Sequence, residues 1–338
     1  MLSSAQIAAA TNRAAEVLRD SGAKERIEKD GYTRINPFRV AEFADVLVML
    51  RPMDKLLGAF IRQEQSGILL NSERPAGLVQ MTCAHELGHF FLNHGTTADD
   101  RLDYAPTAGR QELEADWFAY SLIAPRWAIA RIMRRKNWSR NHLCHPFYLY
   151  QLSLRLGISY KAAAWSLNRL KLLERTEVDT LLRTQPATIK KSLLHSPLEN
   201  PHRDVWLIDE ADQDLILEPR VDDQMLVRLR NHSSAGYVWT ADEAMSEGFL
   251  IEPLLIPPGQ RADKDSTIGG GVSVQDYLIT QAPLAKPEPA QLNLSERKPW
   301  SPDSGAIANY STQASFEHLD PGLSPAAKES LLRSANQS

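Results

Sequence analysis

Two histidines four residues apart, with a glutamate after the first, constrain this chain more than any other feature: His85-Glu86-Leu87-Gly88-His89. On an α-helix, residues four apart face the same way, so the two imidazoles can converge on one metal ion, with Glu86 beside them as candidate general base. The surrounding residues 75 to 94 have the period of a helix, with Leu78, Met81, Leu87, Phe90 and Phe91 on its buried side. A catalytic Zn²⁺ takes three protein ligands and keeps a fourth position open, and two His plus one Glu is an established set. The third ligand is sought on the next helical run, Gln111 to Ile123, which carries Glu112-Leu113-Glu114-Ala115-Asp116. Either Glu112 or Glu114 can supply the oxygen. Glu112 and Asp116 lie four apart on one face, which favours Glu112 as ligand, with Asp116 holding the far nitrogen of a ligand imidazole. Glu114 points elsewhere and is expected to lie on a solvated surface.

The rest of the chain is divided by composition and punctuation. Its 338 residues are enough for two or three folded units. An amphipathic helix is expected before Gly22. Short apolar runs at 46 to 71, including VLVML, LLGAFIRQ and GILLN, read as a small antiparallel sheet. Residues 126 to 195 look all-helical, with Gly157 as a turn, and HSPLENPHR after them reads as a hinge. Alternating runs such as DLILEP, QMLVRLR, GYVW and DYLIT then point to a β-sandwich or barrel. The segment beyond Ser301, rich in Ser, Ala, Asn and Gln, reads as a flexible tail. The expected units are thus 1–125, 126–195, 203–300 and a tail at 301–338.

Charge and sulfur content narrow the function classes. Lys and Arg total 38 against 42 Asp and Glu, a net charge of −4, so no global positive field draws the chain to nucleic acid. A local basic stripe does occur at Arg126, Arg131, Arg134, Arg135, Lys136 and Arg140, and SLRLGISYKAAAWSLNRL has helix-turn-helix spacing. Protein docking or a solvated face is the expectation there rather than DNA binding. Two cysteines, Cys83 and Cys144, suit a reducing compartment, and neither a signal segment nor a membrane-length apolar run is evident, so a cytoplasmic protein with no membrane partner is expected. His94, His142, His145, Tyr104 and Tyr120 are available as oxyanion donors. His94 is left outside the site, because a lone histidine is more often a surface or core residue.

The strings Ala84 to His89 and Glu112 to Ala119 resemble the ImmA/IrrE metallopeptidases, whose motif helix reads AHELGH and whose next helix carries E-x-E-A-(N/D)-x-F-A. The likeness extends to GILLN and to the helices around 145 to 173. It implies a zincin-like, gluzincin-type endopeptidase with zinc on His85, His89 and Glu112, acting on a helix-turn-helix repressor to release stress or mobile-element genes.

In the β half, Ser233-Ser234-Ala235-Gly236-Tyr237-Val238-Trp239, Gly269-Gly270-Gly271 and Arg297-Lys298-Pro299-Trp300 fall between strand-like runs. Their order resembles the loops of chagasin-like inhibitors of papain-type cysteine proteases, an immunoglobulin-like fold. His232 and Ser233 stand in place of Asn-Pro, Ala235 in place of a Thr, and Lys298 interrupts R-P-W. The resemblance implies protein-binding loops at Ser234, Gly236, Tyr237, Trp239, Gly270, Arg297 and Trp300. The expected whole is an α+β multidomain chain: a zincin-like metallopeptidase with a helix-turn-helix-like segment, then an immunoglobulin-like all-β domain. The rival expectations are a DNA-binding or adaptor regulator with an inactive zinc site, and a bifunctional chain whose β half inhibits a cysteine protease.

Overall fold

The computed structural model describes residues 2–99, 109–195, 198, 200–241, 249–254, 273–281, 289–301 and 305–335. The first helix, α1 (Ser4–Asp20), opens in a capping box between Ser3 and Gln6 and buries Ala10, Ala14, Val17 and Leu18. After α2 (Ala23–Glu28) and α3 (Pro37–Phe43) come β1 (Leu47–Arg51), β2 (Gly58–Ile61), β3 (Gly67–Asn71), α4 (Ala76–Phe91), β4 (Thr97–Asp99) and α5 (Arg110–Ile123). Helix α4 packs on β2 and β3, and α5 is clasped between α4 and α1.

The amino-terminal sheet differs from the antiparallel one expected. β1 and β3 run parallel, Leu47 opposite Gly67 through Arg51 opposite Asn71, and β2 and β4 extend the sheet antiparallel beyond β3. Parallel neighbours need a long crossover, and the chain between β1 and β3 supplies one by running through β2. Apolar runs alone do not reveal this order.

Six helices follow: α6 (Arg126–Arg135), α7 (Arg140–Leu143), α8 (Pro146–Leu156), α9 (Tyr160–Arg169), α10 (Arg175–Leu181) and α11 (Pro186–Leu194). Gly157 ends α8 in the left-handed region at φ 67°, and a Cβ there would stand 2.7 Å from Arg34 Cδ. The remaining strands, β5 (Val205–Ile208), β6 (Ile216–Leu217), β7 (Gln224–Asn231), β8 (Val238–Ala241), β9 (Phe249–Pro253), β10 (Ser273–Gln281), β11 (Ala290–Arg297) and β12 (Ala308–Ala314), form two four-stranded sheets. Their orders are β5-β7-β10-β9 and β6-β12-β11-β8. Finally β13 (Gly322–Leu323) and α12 (Pro325–Ala335) return to the amino-terminal half, where β13 pairs with β1 and α12 packs on α3.

Within the segment expected to be a flexible tail, the described residues 305–335 therefore form regular structure. β12 lies inside the second β sheet, paired with β11 from Ala290–Ala314 to Glu296–Ala308. Its alternation is real but polar: Tyr310, Thr312 and Ala314 face inward, and the Thr312 hydroxyl lies within hydrogen-bonding distance of the carbonyls of Asp212 and Leu215. A Thr that satisfies its hydroxyl on backbone can occupy a core position that composition reads as loop.

The β half is also fastened to the helices by buried polar contacts, so it is not a separately closed unit ending at 300. On α8, the Gln151 side chain donates to Val205 O and accepts from Leu207 N, covering the open edge of β5. Tyr150 OH accepts from Val205 N and pairs with Asp204. Arg155, 1% exposed, reaches Asp212 with Nη2 at 2.8 Å and Nε at 3.3 Å, and Lys136 of the basic stripe joins the same carboxylate. Burial alone would raise the Asp212 carboxyl, but Arg155 and Lys136 more than offset it and hold it below its usual value. A second buried cluster joins Arg26 and Arg34 to Glu218 and Glu317, with Gln80 of α4 also on Glu317. Arg155→Ala leaves Asp212 short of its main partner in a site closed to water and is expected to cost about 3 kcal/mol or more in urea unfolding of the full chain. A loss below about 1 kcal/mol, the level of an exposed pair, would contradict this account.

Candidate metal centre

The motif helix is buried along its length from Val79 to His89, because α4 runs between the sheet and α5. Two glycines make that burial possible. A Cβ on Gly88 would lie 2.9 Å from the Cα and carbonyl oxygen of Ala115, so Gly88 and Ala115 set how closely α4 and α5 approach. A Cβ on Gly58 would lie 2.5 Å from Thr82 Cγ2 and 2.8 Å from Glu86 Oε1, so Gly58 leaves room on β2 for the glutamate.

At this approach α5 brings its carboxylates to the histidines. His85 Nε2 and His89 Nε2 stand 3.1 Å apart, and Glu112 Oε2 lies 3.2 Å from the first and 3.5 Å from the second. Among the described residues, these three are the group whose donor atoms converge tightly enough to hold a metal ion. Donors bound to zinc at about 2.0–2.1 Å in a tetrahedron lie about 3.3–3.4 Å from one another, so the separations fit one face of a zinc coordination tetrahedron. In the metal-free site the imidazoles of His85 and then His89 hold the neighbouring Glu112 carboxyl far below the usual carboxylate range, so it is an anion at neutral pH.

Behind the ligands, His85 Nδ1 meets Asp116 Oδ1 at 3.0 Å, the support inferred from the shared helical face. His89 Nδ1 faces His94 Nδ1 at 3.0 Å, and His94 Nε2 faces Glu114 Oε2 at 3.4 Å. His94, left out of the site in the sequence reading, is buried at its edge; burial and then the neighbouring His89 lower its pKa, so it is neutral at pH 7. Glu114 lies outside the converging group, but it is not a solvated surface group: Arg110 and Gln6 of α1 hold it at 2.9 and 3.0 Å. Glu86 is fully buried and its Oε2 accepts from Thr97 Oγ1 on β4 at 3.2 Å. Burial, reinforced by the charge of Glu86, raises the Cys83 thiol well above its usual value, so it is an inert core thiol at neutral pH.

Of the candidate oxyanion donors, Tyr104 lies outside the described residues. Tyr120 is buried under the Arg169 guanidinium, 3.6 Å from its ring centre. His142 and His145 gather around Tyr148 instead, with ring centres 4.8 and 5.8 Å away. Arg62 was not foreseen: it donates to the carbonyls of His94, Phe90 and His89 at 2.8, 2.9 and 3.3 Å, a cation at the carboxyl end of α4.

The loops of the β half are partly assembled. Ser234 lies in the turn Ser233–Ala235, and Gly236 follows it at φ 82°. Trp300 packs so closely over Gly236 that a Cβ there would fall 2.2 Å from Cη2, yet the indole is 70% exposed. Lys298 lies over the Tyr237 ring at 4.9 Å, and Arg297 pairs with Val238 across the sheet. Trp239 departs from expectation as a loop anchor: it is buried on β8 and its Nε1 donates to Arg230 O. Gly270 lies outside the described residues.

Residues 41–168 match the family model of the IrrE N-terminal-like domain, Peptidase_M78. The matched span contains every residue of the triad and runs on into α9. The match supports a metallopeptidase-like function for this part of the chain. Among solved structures, the cysteine protease inhibitor EhICP2 from Entamoeba histolytica overlaps 35% of this chain and 100% of its own, at 14% identity and a TM-score of 0.27. Amebosin overlaps 34% of this chain and 98% of its own, at 18% identity and a TM-score of 0.25. No curated protein matches the chain. No helix among the described residues is long and apolar enough to cross a membrane.

Proposed function

We propose that the chain is a cytoplasmic zinc endopeptidase that cleaves a helix-turn-helix repressor and so releases stress or mobile-element genes. The observation that carries the reading is the convergence of His85, His89 and Glu112 with a buried glutamate, Glu86, on the same helix as the two imidazoles. His85, His89 and Glu112 would hold the zinc, which would supply a Lewis acid for the scissile carbonyl and acidify its bound water toward neutral pH. Glu86 is the carboxylate that would take up a proton from the attacking water and pass it to the leaving amine, and Thr97 orients it through Oε2. Asp116 favours the His85 proton on Nδ1, so that Nε2 can present its lone pair to the point shared with His89 and Glu112.

The exposed Trp300 on Gly236, beside Tyr237 and Lys298, supports a role for the β half in gripping a protein substrate, since aromatic anchors dominate such interfaces. A protein rather than DNA is favoured as partner because three members of the basic stripe are already engaged: Arg135 donates to Ala211 O and Gln213 O, Lys136 is paired with Asp209 and Asp212, and Arg140 is paired with Glu177.

Co-expression with the product of a neighbouring repressor-like gene tests the proposal. A zinc-dependent cut found by mass spectrometry in that partner and not in casein is the expected result, with the cut weakened in Trp300→Ala. Intact partner in the presence of zinc would refute the substrate class.

A further inference from the structure

We propose that His94 and Glu114 are positioning residues that fix the second ligand imidazole, an inference that rests on the zinc reading above. Helix α4 ends at Phe91, and Asn93 then takes φ 60°, a left-handed conformation that Asn tolerates better than most residues. The turn brings His94 N within 2.9 Å of His89 O and folds the His94 ring back against His89, their centres 5.0 Å apart. Arg62 locks the turn by donating to the carbonyls at both of its ends.

Proton accounting leaves one arrangement for this pair. His89 presents Nε2 to the shared metal point, so a neutral ring must carry its proton on Nδ1. That proton points at His94 Nδ1, which must accept it, and the proton of His94 is then on Nε2. Nε2 faces Glu114, a carboxylate that can only accept and is itself held by Arg110 and Gln6. The reverse arrangement, with His94 donating from Nδ1, would put the His89 proton on Nε2 and remove that nitrogen as a ligand. α5 thus supports both imidazoles: Asp116 directly behind His85, and Glu114 through His94 behind His89.

Side chains that mimic one ring nitrogen or the other separate this role from packing. His94→Asn keeps a side-chain oxygen near the place of Nδ1, where it can accept from His89, whereas His94→Gln extends toward the place of Nε2 and leaves His89 without an acceptor. Zinc dissociation constants, measured on the full chain by competition with a chromophoric chelator, are expected to rise about 10- to 100-fold in His94→Ala and His94→Gln. Asn should recover most of that loss, and Glu114→Ala should fall near the low end of the same range. Parent-like affinity in the Ala and Gln variants would overturn the inference, as would an Asn variant as weak as Ala, or a loss confined to the melting temperature of the metal-free chain. Should the His94 variants fail to fold, parent-like affinity in Glu114→Ala overturns it equally. A parent chain that binds no zinc would overturn the zinc reading itself, whereas a zinc-binding parent with indifferent variants overturns only this step.

Discussion

Glu86→Gln is expected to keep about one zinc per chain and to slow cleavage of the protein substrate by about 10²- to 10⁴-fold, the usual contribution of a general base. The substitution changes almost no volume, and Glu86 is not one of the three converging donors, so the metal should stay. A glutamine amide can still accept from Thr97 Oγ1, which preserves the packing under β2, but it cannot take up a proton. Metal content by atomic emission and single-turnover cleavage followed by mass spectrometry give the two readings. Unchanged cleavage would remove Glu86 as the base. Loss of zinc together with cleavage would make it a structural residue.

The second large effect belongs to Glu112. Glu112→Ala removes the carboxylate that faces both ligand nitrogens and is expected to reduce zinc affinity well beyond the roughly 10- to 100-fold loss of Asp116→Ala, which acts through a ligand instead of as one. Two imidazoles alone leave a divalent cation without the anion that offsets its charge and completes the three-ligand set. Equilibrium dialysis of the three α5 variants should rank Glu112→Ala weakest, then Asp116→Ala and Glu114→Ala. If zinc persists in Glu112→Ala and is lost in Glu114→Ala, the shared-face argument for the ligand fails.

The core of the site was readable because helical period alone places His85, His89, Glu112 and Asp116: each pair is four apart, and each pair shares a face. What lay beyond that rule was not readable. His94 is five residues past His89 and off the end of the helix, so its meeting with His89 depends on the left-handed turn at Asn93. Glu114 is about 200° around α5 from Glu112, and its use depends on where that turn delivers His94. One local signal did exist: a glycine in mid-helix costs about 1 kcal/mol relative to alanine, and Gly88 is retained where Ala115 crosses within van der Waals reach. In the fold, helices announced themselves by period, but the parallel partner of β3 and the buried strand ANYSTQA did not. Strand order is a property of the crossover, and Thr312 occupies the core through hydrogen bonds that no hydropathy pattern records.

The pairing of β13 with β1 sets a timetable for synthesis. Met49 and Leu50 leave the ribosome about 270 residues before their antiparallel partners Leu323 and Gly322. At translation speeds of about 5–20 residues per second, the outer edge of the amino-terminal sheet stays open for on the order of half a minute. Through that interval β1 offers unpaired backbone beside an apolar face, and a growing chain in that state is a client for chaperones and a target for proteolysis. The charged cluster of Arg26 and Arg34 also waits for Glu218 and Glu317, so the helix bearing the histidines gains its contact through Gln80 only late in synthesis. The amino-terminal sheet therefore cannot be completed on the ribosome ahead of the β half.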